Sequence, residues 1–249
     1  MIILKSLQEI AKIRNASLIV ADVLEHISSI IRPGISTQDL DEIAERLILA
    51  AGAKPAFKGY RGYPKTLCTS LNNEVIHGIP SKDVVLKQGD IISIDVGAIT
   101  EGFYGDAAIT LPVGTITPAA ERLIRATEES LARGIAQAKP GNHLSDISHA
   151  VQSYVESRGY SVVREFVGHG LGRNMHEDPQ IPNFGDRGKG PRLKAGMVLA
   201  VEPMVNAGVS ATVVKEDNWT AVTADGSLSA HFEHTIAVMP DGPWILTKK

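Results

Sequence analysis

Apolar side chains recur at helical spacing through residues 4–31 (Ile10, Ile13, Leu18, Val23, Leu24, Ile27), which predicts a long amphipathic helix. Pro33-Gly34 stops it. Ser36 or Thr37 can cap a second helix, which carries Leu40, Ile43, Leu47 and Leu49 towards Gly52. Residues 53–75 are rich in Gly, Pro and Tyr and read as loops and short strands. The β-rich runs 90–98 (DIISIDVGA) and 103–111 (FYGDAAITL) flank Thr100-Glu101-Gly102 and predict a hairpin. Thr117-Pro118 opens a third helix with proline in its first turn, ending near Pro140-Gly141. A fourth helix runs from about Ser145 to Gly159, and β-rich segments follow near 161–167, 197–206, 212–224 and 229–239.

The order long helix, shorter helix, sheet occurs twice, and each half ends with acids inside strand-like sequence. No letter-by-letter repeat, low-complexity tract or long linker interrupts it. The expected architecture is α+β: a single domain over residues 1–249, with similar halves of about 1–112 and 113–249 closing on one site.

Composition narrows the class. Of 249 residues, 43% are apolar and 21% charged, as in ordinary globular protein. The formal charge of -3 comes from interspersed signs, with no basic stripe for sequence-specific nucleic-acid binding. The single cysteine, Cys68, excludes an intramolecular disulfide and fits a reducing compartment. The N-terminus MIILKSLQEIAKIR lacks an extended apolar core and a small-residue cleavage site, so it does not read as a signal peptide. No run of about 18 apolar residues suggests a membrane span. The expected location is the cytoplasm.

Four acids interrupt apolar strands: Asp95 in IISIDVGA, Asp106 in the next run, Glu202 in VLAVEPMVN and Glu233 in SAHFEHTIAVM. A buried carboxylate is costly unless it is paired or binds a metal. If Glu101-Gly102 form a two-residue turn, Asp95 opposes Ala108 and Asp106 becomes its diagonal neighbour on the same face, about 7–8 Å away. A three-residue loop would put the two acids on opposite faces. Solvated or turn-capping aspartates and structural ion pairs are the plain alternatives, but these strands hold no obvious basic partners. Among the histidines, His169 lies between two glycines in FVGHGLG and is the best ligand candidate. His77 (EVIHGIP) and His176 (NMHEDP) suit proton or hydrogen-bond roles better. His26, His143, His149 and His231 read as surface or structural. Oxygen-rich sites with one or two imidazoles suit divalent Mn, Fe, Co or Zn. Residue chemistry alone thus reaches a metal-dependent hydrolase with a carboxylate-rich site.

The runs NEVIHGIP (73–80), GDIISIDVGA with EGFYGD (89–106), GHGLGRNMHEDP (168–179), VEPMVN (201–206) and SLSAHFEHT (227–235) resemble type I methionine aminopeptidases, in order and in spacing. GYPK at 62–65, followed by Cys68, resembles that family's substrate-pocket segment. The resemblance spans nearly the whole chain. It implies the pita-bread fold, two α+β halves around a dinuclear metal site. It implies that Asp106 and Glu233 bridge two divalent ions, that Asp95 holds one, and that His169 and Glu202 hold the other. Tyr60, Tyr63, Cys68 and Trp219 then line the methionine pocket with His77 and His176. The implied reaction removes the initiator methionine of nascent proteins when the second residue is small. A hydroxide shared by the ions attacks the first peptide bond, Glu202 shuttles the proton, and His176 stabilises the oxyanion.

Four positions depart from the common pattern: Ile76 where Cys is frequent, Gly97 where Thr is frequent, Ala107 where a hydroxyl residue is common, and Met175 where an aromatic is common. The minimal, bacterial-style form is expected, without a zinc-finger extension or the long insertion of type II enzymes. The expected partners are nascent N-termini and, transiently, the ribosome; a monomer and no membrane association are expected. Competing readings are an X-Pro peptidase or prolidase of the same fold, whose usual separate N-terminal domain has no counterpart here, and a non-catalytic relative, which would typically have lost ligands.

Overall fold

The computed structural model describes residues 1–249. Helix α1 (Leu7–Ile30) begins three residues later than the apolar spacing suggests because Ser6 caps it. The Glu9 amide donates to Ser6 Oγ (3.3 Å) while the Ser6 amide donates to the Glu9 carboxylate (3.0 Å), satisfying two end-of-helix donors. Ser36 and Asp39 cap helix α2 (Thr37–Ala50) in the same way. Helix α3 (Pro118–Ile135) starts where proline predicts but ends short of Pro140-Gly141. There the amides of Gln137 and Ala138 donate to Gly134 and Ile135 in tight three-residue turns. Helix α4 (Leu144–Ser157) completes the second pair.

A nine-stranded sheet lies behind these helices. Its main path runs Lys54–Pro55, Ile91–Thr100, Phe103–Pro112, Glu233–Met239, Val198–Val201, Gly168–Gly170, Glu177–Ile181. Leu67–Leu71 pairs with Ile91–Thr100, and Gly242–Ile245 pairs with Glu233–Met239. Two three-stranded sheets flank it: Ser229–His231, Met204–Asn206 and Ser161–Val162 form one, and Thr212–Val214, Ala221–Thr223 and Glu74–Ile76 the other. Three strands escape the sequence pattern, among them Gly168–Gly170, whose glycines carry no β signal. Glu177–Ile181 (EDPQI) ends the sheet path, where its proline and charges are tolerated and no apolar run is needed. Gly242–Ile245 is short and half-buried.

The hairpin has the two-residue turn. Thr100 opposes Phe103, Asp95 opposes Ala108 and Gly97 opposes Asp106. Glu101 (φ 51) and Gly102 (φ 76) both take left-handed backbone, the geometry that matches strand twist. Asp95 and Asp106 therefore share a face. Helix α1 presses on the other side of this hairpin. A Cβ on Gly105 would lie 2.5 Å from the Ser17 amide nitrogen, so glycine beside Asp106 lets the helix backbone touch the strand. Small Ala16 and Ser17, both buried, complete that contact. The largest apolar cluster joins α1, α2 and the hairpin through Val20, Ile27, Leu40, Ile92, Ile94 and Val96. A second cluster joins α3 and α4 to the strands that carry Glu202 and Glu233 through Leu131, Ile147, Leu199 and Ile236. No helix is long and apolar enough to cross a membrane.

Candidate metal centre and its adjoining pocket

The hairpin offers two carboxylates, and the sheet brings three more groups to them. Glu233 opposes Ala108 at the seam between Phe103–Pro112 and Glu233–Met239, next to Asp106. Only two residue pairs join these strands by backbone register, and a side chain extends the seam. Thr235 Oγ1 donates to the Asp106 carbonyl (2.7 Å) and accepts from the Asp106 amide (3.3 Å). Ala107, where a hydroxyl residue is common, is instead buried in the apolar cluster. His169 opposes Ala200 one strand further on. Gly168 permits that approach, since a Cβ there would meet the Ala200 carbonyl at 2.4 Å. Glu202 follows Val198–Val201, and the Asn183 amide group holds its carbonyl at 3.0 Å.

Asp106, His169 and Glu233 offer ligand atoms all within 4.8 Å of one another, and all three residues are buried. Glu202 Oε1 lies 3.5 Å from His169 Nε2. Asp95 sits beside Asp106 on the shared face. His169 Nδ1 donates to the Gly170 carbonyl (2.9 Å), which leaves the Nε2 lone pair free for a cation.

The electrostatics define the chemistry of this donor set. No lysine or arginine pairs with Asp95, Asp106, Glu202 or Glu233; the only basic groups near Glu202 are His169 and His231. Burial raises the pKa of all four acids, and for Asp106, Glu202 and Glu233 the neighbouring carboxylates raise it further. Burial and the nearby His176 lower His169 to about 4, so its imidazole is neutral at pH 7. Asp95 Oδ1, Asp106 Oδ1 and Glu233 Oε1 are buried without a hydrogen-bond partner. Orphaned carboxylate oxygens facing a neutral imidazole are the donor set of a divalent cation.

The same cavity holds all eleven residues that the sequence analysis put forward as metal ligands, catalytic groups or pocket lining. Asp95, Asp106, His169, Glu202 and Glu233 line it together with His77, His176, Tyr60, Tyr63, Cys68 and Trp219. Cys68 opposes Asp95 on the adjacent strand. Tyr63 OH donates towards the Leu67 and Gly78 carbonyls (2.9 and 3.0 Å), which fixes the ring against Trp219 at 5.0 Å, edge to face. Met175, Phe57 and Ala56 close this apolar recess around Cys68. His77 stands edge-on to Trp219 (6.3 Å) and Phe166 (5.8 Å). Its φ of 61 is left-handed, uncommon for a residue with a side chain. His176 stacks on Tyr60 (5.4 Å) and shares a 2.8 Å hydrogen bond with its hydroxyl through Nδ1. It lies 4.2 Å, ring to ring, from His169.

Five residues in or beside the site escaped the sequence reading. Phe57 and Arg61 line the cavity from a segment without a motif, and Phe166 and Val167 line it from FVGHGLG, where only His169 stood out. His231, read as surface or structural, is buried, and its unpartnered Nε2 is 3.9 Å from Glu202. Its place two residues before Glu233 in a strand-like run was the available signal. The departure at Gly97 has a physical reason: a Cβ there would lie 2.8 Å from the Phe57 ring. Ile76 and Met175 simply become apolar wall.

The profile of metallopeptidase family M24 matches residues 11–240. Methionine aminopeptidase 1 of Bacillus subtilis (strain 168) is 56% identical over 248 residues, covering 100% of both chains. A methionine aminopeptidase of Clostridium acetobutylicum is 53% identical over 247 residues, covering 99% of each. The crystal structure of a methionine aminopeptidase from Thermotoga maritima superposes with a TM-score of 0.99 at 49% identity over the full length of both chains. The prolidase of Pyrococcus horikoshii OT3 superposes at 0.79 with 24% identity, but only 64% of that chain is covered, so it shares the fold alone. The pita-bread fold expected from the sequence is the fold of this chain.

Proposed function

This chain belongs to metallopeptidase family M24, among its methionine aminopeptidases, and on that premise we propose that it trims the initiator methionine of nascent proteins when the second residue is small. The observation that carries the reading is one cavity in which an acid-imidazole cluster adjoins a closed apolar recess. Tyr63, Cys68, Met175 and Trp219 shape a recess that suits an unbranched thioether. A larger second residue would meet the crowded rim formed by His77, Phe166 and Trp219.

M24 membership brings divalent metal use, and the five donors fit it. Asp106 and Glu233 would bridge two ions, Asp95 would hold one, and His169 and Glu202 the other; Mn, Fe, Co and Zn all suit this set. When bound, such ions acidify water and polarise a carbonyl. The chain's own groups do the rest. Glu202, held above the usual carboxylate range by burial, is a competent acceptor for the proton of the attacking water and a donor to the leaving amine. His176, anchored through Nδ1 by Tyr60, presents its other nitrogen to the developing oxyanion. His77 contacts the scissile amide. Glu202 and Glu233 lie in the second expected half and Asp95 and Asp106 in the first, which supports one catalytic domain over residues 1–249. The enzyme acts as a monomer in the cytoplasm, with transient access to nascent chains at the ribosome.

Metal-loaded protein is incubated with Met-Ala-Ser, Met-Leu-Ser and Ala-Pro peptides, with and without chelator. Chelator-sensitive release of methionine from the first peptide alone is expected. Cleavage of Ala-Pro, or no cleavage with metal confirmed bound, overturns the reading.

A further inference from the structure

The site cavity has a closed end and an open end. Asp106, Glu233, Cys68 and Tyr63 are buried at the closed end. Of all the residues that line the cavity, only Arg61 and His176 are exposed. A peptide whose first residue fills the recess must therefore leave past this pair.

Arg61 is held at that mouth by its backbone. It takes left-handed φ/ψ (50, 23) between Gly59 (φ 87) and Gly62 (φ 90), in a turn that projects from the sheet. Its guanidinium rests over the Tyr60 ring, 5.4 Å from the centroid. Tyr60 is fixed in turn by His176. The platform under the arginine is thus tied to the group placed at the oxyanion. Neighbouring surface cations have partners of their own: Lys58 pairs with Glu45 at 2.7 Å and Arg173 with Glu9 at 3.4 Å. Arg61 has no carboxylate partner. The other rim groups, Tyr60, Phe166, Val167 and Trp219, carry no charge. Arg61 is the one permanent cation facing the exit path, and a guanidinium matches a carboxylate in two parallel hydrogen bonds.

We propose that Arg61 reads the charge of the substrate just beyond its second residue and favours peptides with a carboxylate at the third position. The inference rests on the aminopeptidase reading above and deepens it to a substrate class. An exposed pair of this kind changes affinity about two- to fivefold and weakens with salt.

The test uses metal-loaded enzyme and C-terminally amidated Met-Ala-Asp-Ser, Met-Ala-Asn-Ser and Met-Ala-Lys-Ser, so that no terminal carboxylate competes. At low salt kcat/KM is expected to fall in the order Asp, Asn, Lys, with an Asp-to-Lys ratio of about four. Arg61→Gln should bring that ratio close to one, Arg61→Lys should keep most of it, and Arg61→Glu should invert it. Salt at ~0.5 M should flatten it in the wild type. A flat or inverted order in the wild type, or a ratio unchanged in Arg61→Gln, overturns the inference while cleavage of the Asn peptide leaves the aminopeptidase reading standing. Failure to cleave any of the three peptides overturns both.

Discussion

Lys5 Nζ lies 2.5 Å from Glu177 Oε2, with both side chains almost fully buried, and so ties the N-terminal segment to the residue that follows His176. The other Glu177 oxygen accepts the Asn174 amide at 3.1 Å. The lysine stem occupies the space where a Cβ on Gly172 would sit, 2.3 Å from Lys5 Cε. The turn that carries Met175 and His176 is therefore held from behind. Lys5→Met should leave a buried carboxylate unpaired and cost about 3–5 kcal/mol, read by denaturant unfolding. Lys5→Met with Glu177→Gln should recover much of that loss, and failure to do so would show that packing, not charge, holds the turn.

Divalent ions should stabilise the protein more strongly as pH rises. Burial raises all four acids, Asp95 to about 7. A group raised in the folded state contributes stability that is complete below its unfolded value, near 4, and lost as pH rises through the folded value. The metal-free protein therefore loses this contribution on the way to neutrality, and a bound cation restores it by pairing with the ionised forms. His169, lowered to about 4, works in the opposite sense. Its contribution is present above the ordinary imidazole value, near 6.5, and is lost as pH falls through 4, where protons compete with the cation. Unfolding curves between about pH 5 and 8, with excess divalent ion or with chelator, should diverge as pH increases. A constant gap would contradict the assignment of these residues as ligands.

His231 stands behind Glu202, its Nε2 3.9 Å from the carboxylate and without another partner. It is suited to orient that carboxylate. His231→Ala should lower cobalt affinity or kcat by about 10- to 100-fold, the usual range for a group that supports a metal ligand. His231→Gln, which keeps a donor at similar reach, should retain most of both. Isothermal titration with cobalt reads the first quantity independently of turnover.

Much of this site was legible because strand acids have so few acceptable reasons to exist. Asp95, Asp106, Glu202 and Glu233 each broke an apolar run, and the two-residue turn set the hairpin register by simple counting. Glycine neighbours marked His169. What stayed hidden were contacts made by residues distant in sequence. Arg61 and Phe57 sit in a loop with no periodicity, and only the fold shows that they face the cavity. Nothing near Lys5 in the chain announces its partner Glu177. Helix ends shifted by a few residues where caps such as Ser6, or tight turns such as those after Ile135, overrode the apolar spacing.

Gly97→Thr, which restores the residue frequent in the family, should destabilise this protein. Phe57 already fills that space, with ring carbons 2.8 and 3.3 Å from the position of the added Cβ. The expected cost is about 1–3 kcal/mol, measured by thermal unfolding. Phe57→Ala in the same chain should relieve part of it, since the Ala56 Cβ still lies 2.9 Å from the added atom. An additive double variant would mean that the two positions do not share one space.

The turn at Glu101-Gly102 sets a rule for how this chain can evolve. Side chains alternate along a strand, so inserting or deleting one residue there would rotate Asp106 from the cavity to the side covered by α1. The turn lies on the outside, with Glu101 and Gly102 exposed, and its composition can drift among residues that accept left-handed backbone. Its length cannot. Natural variants should therefore show free substitution and no single-residue indels at this tip.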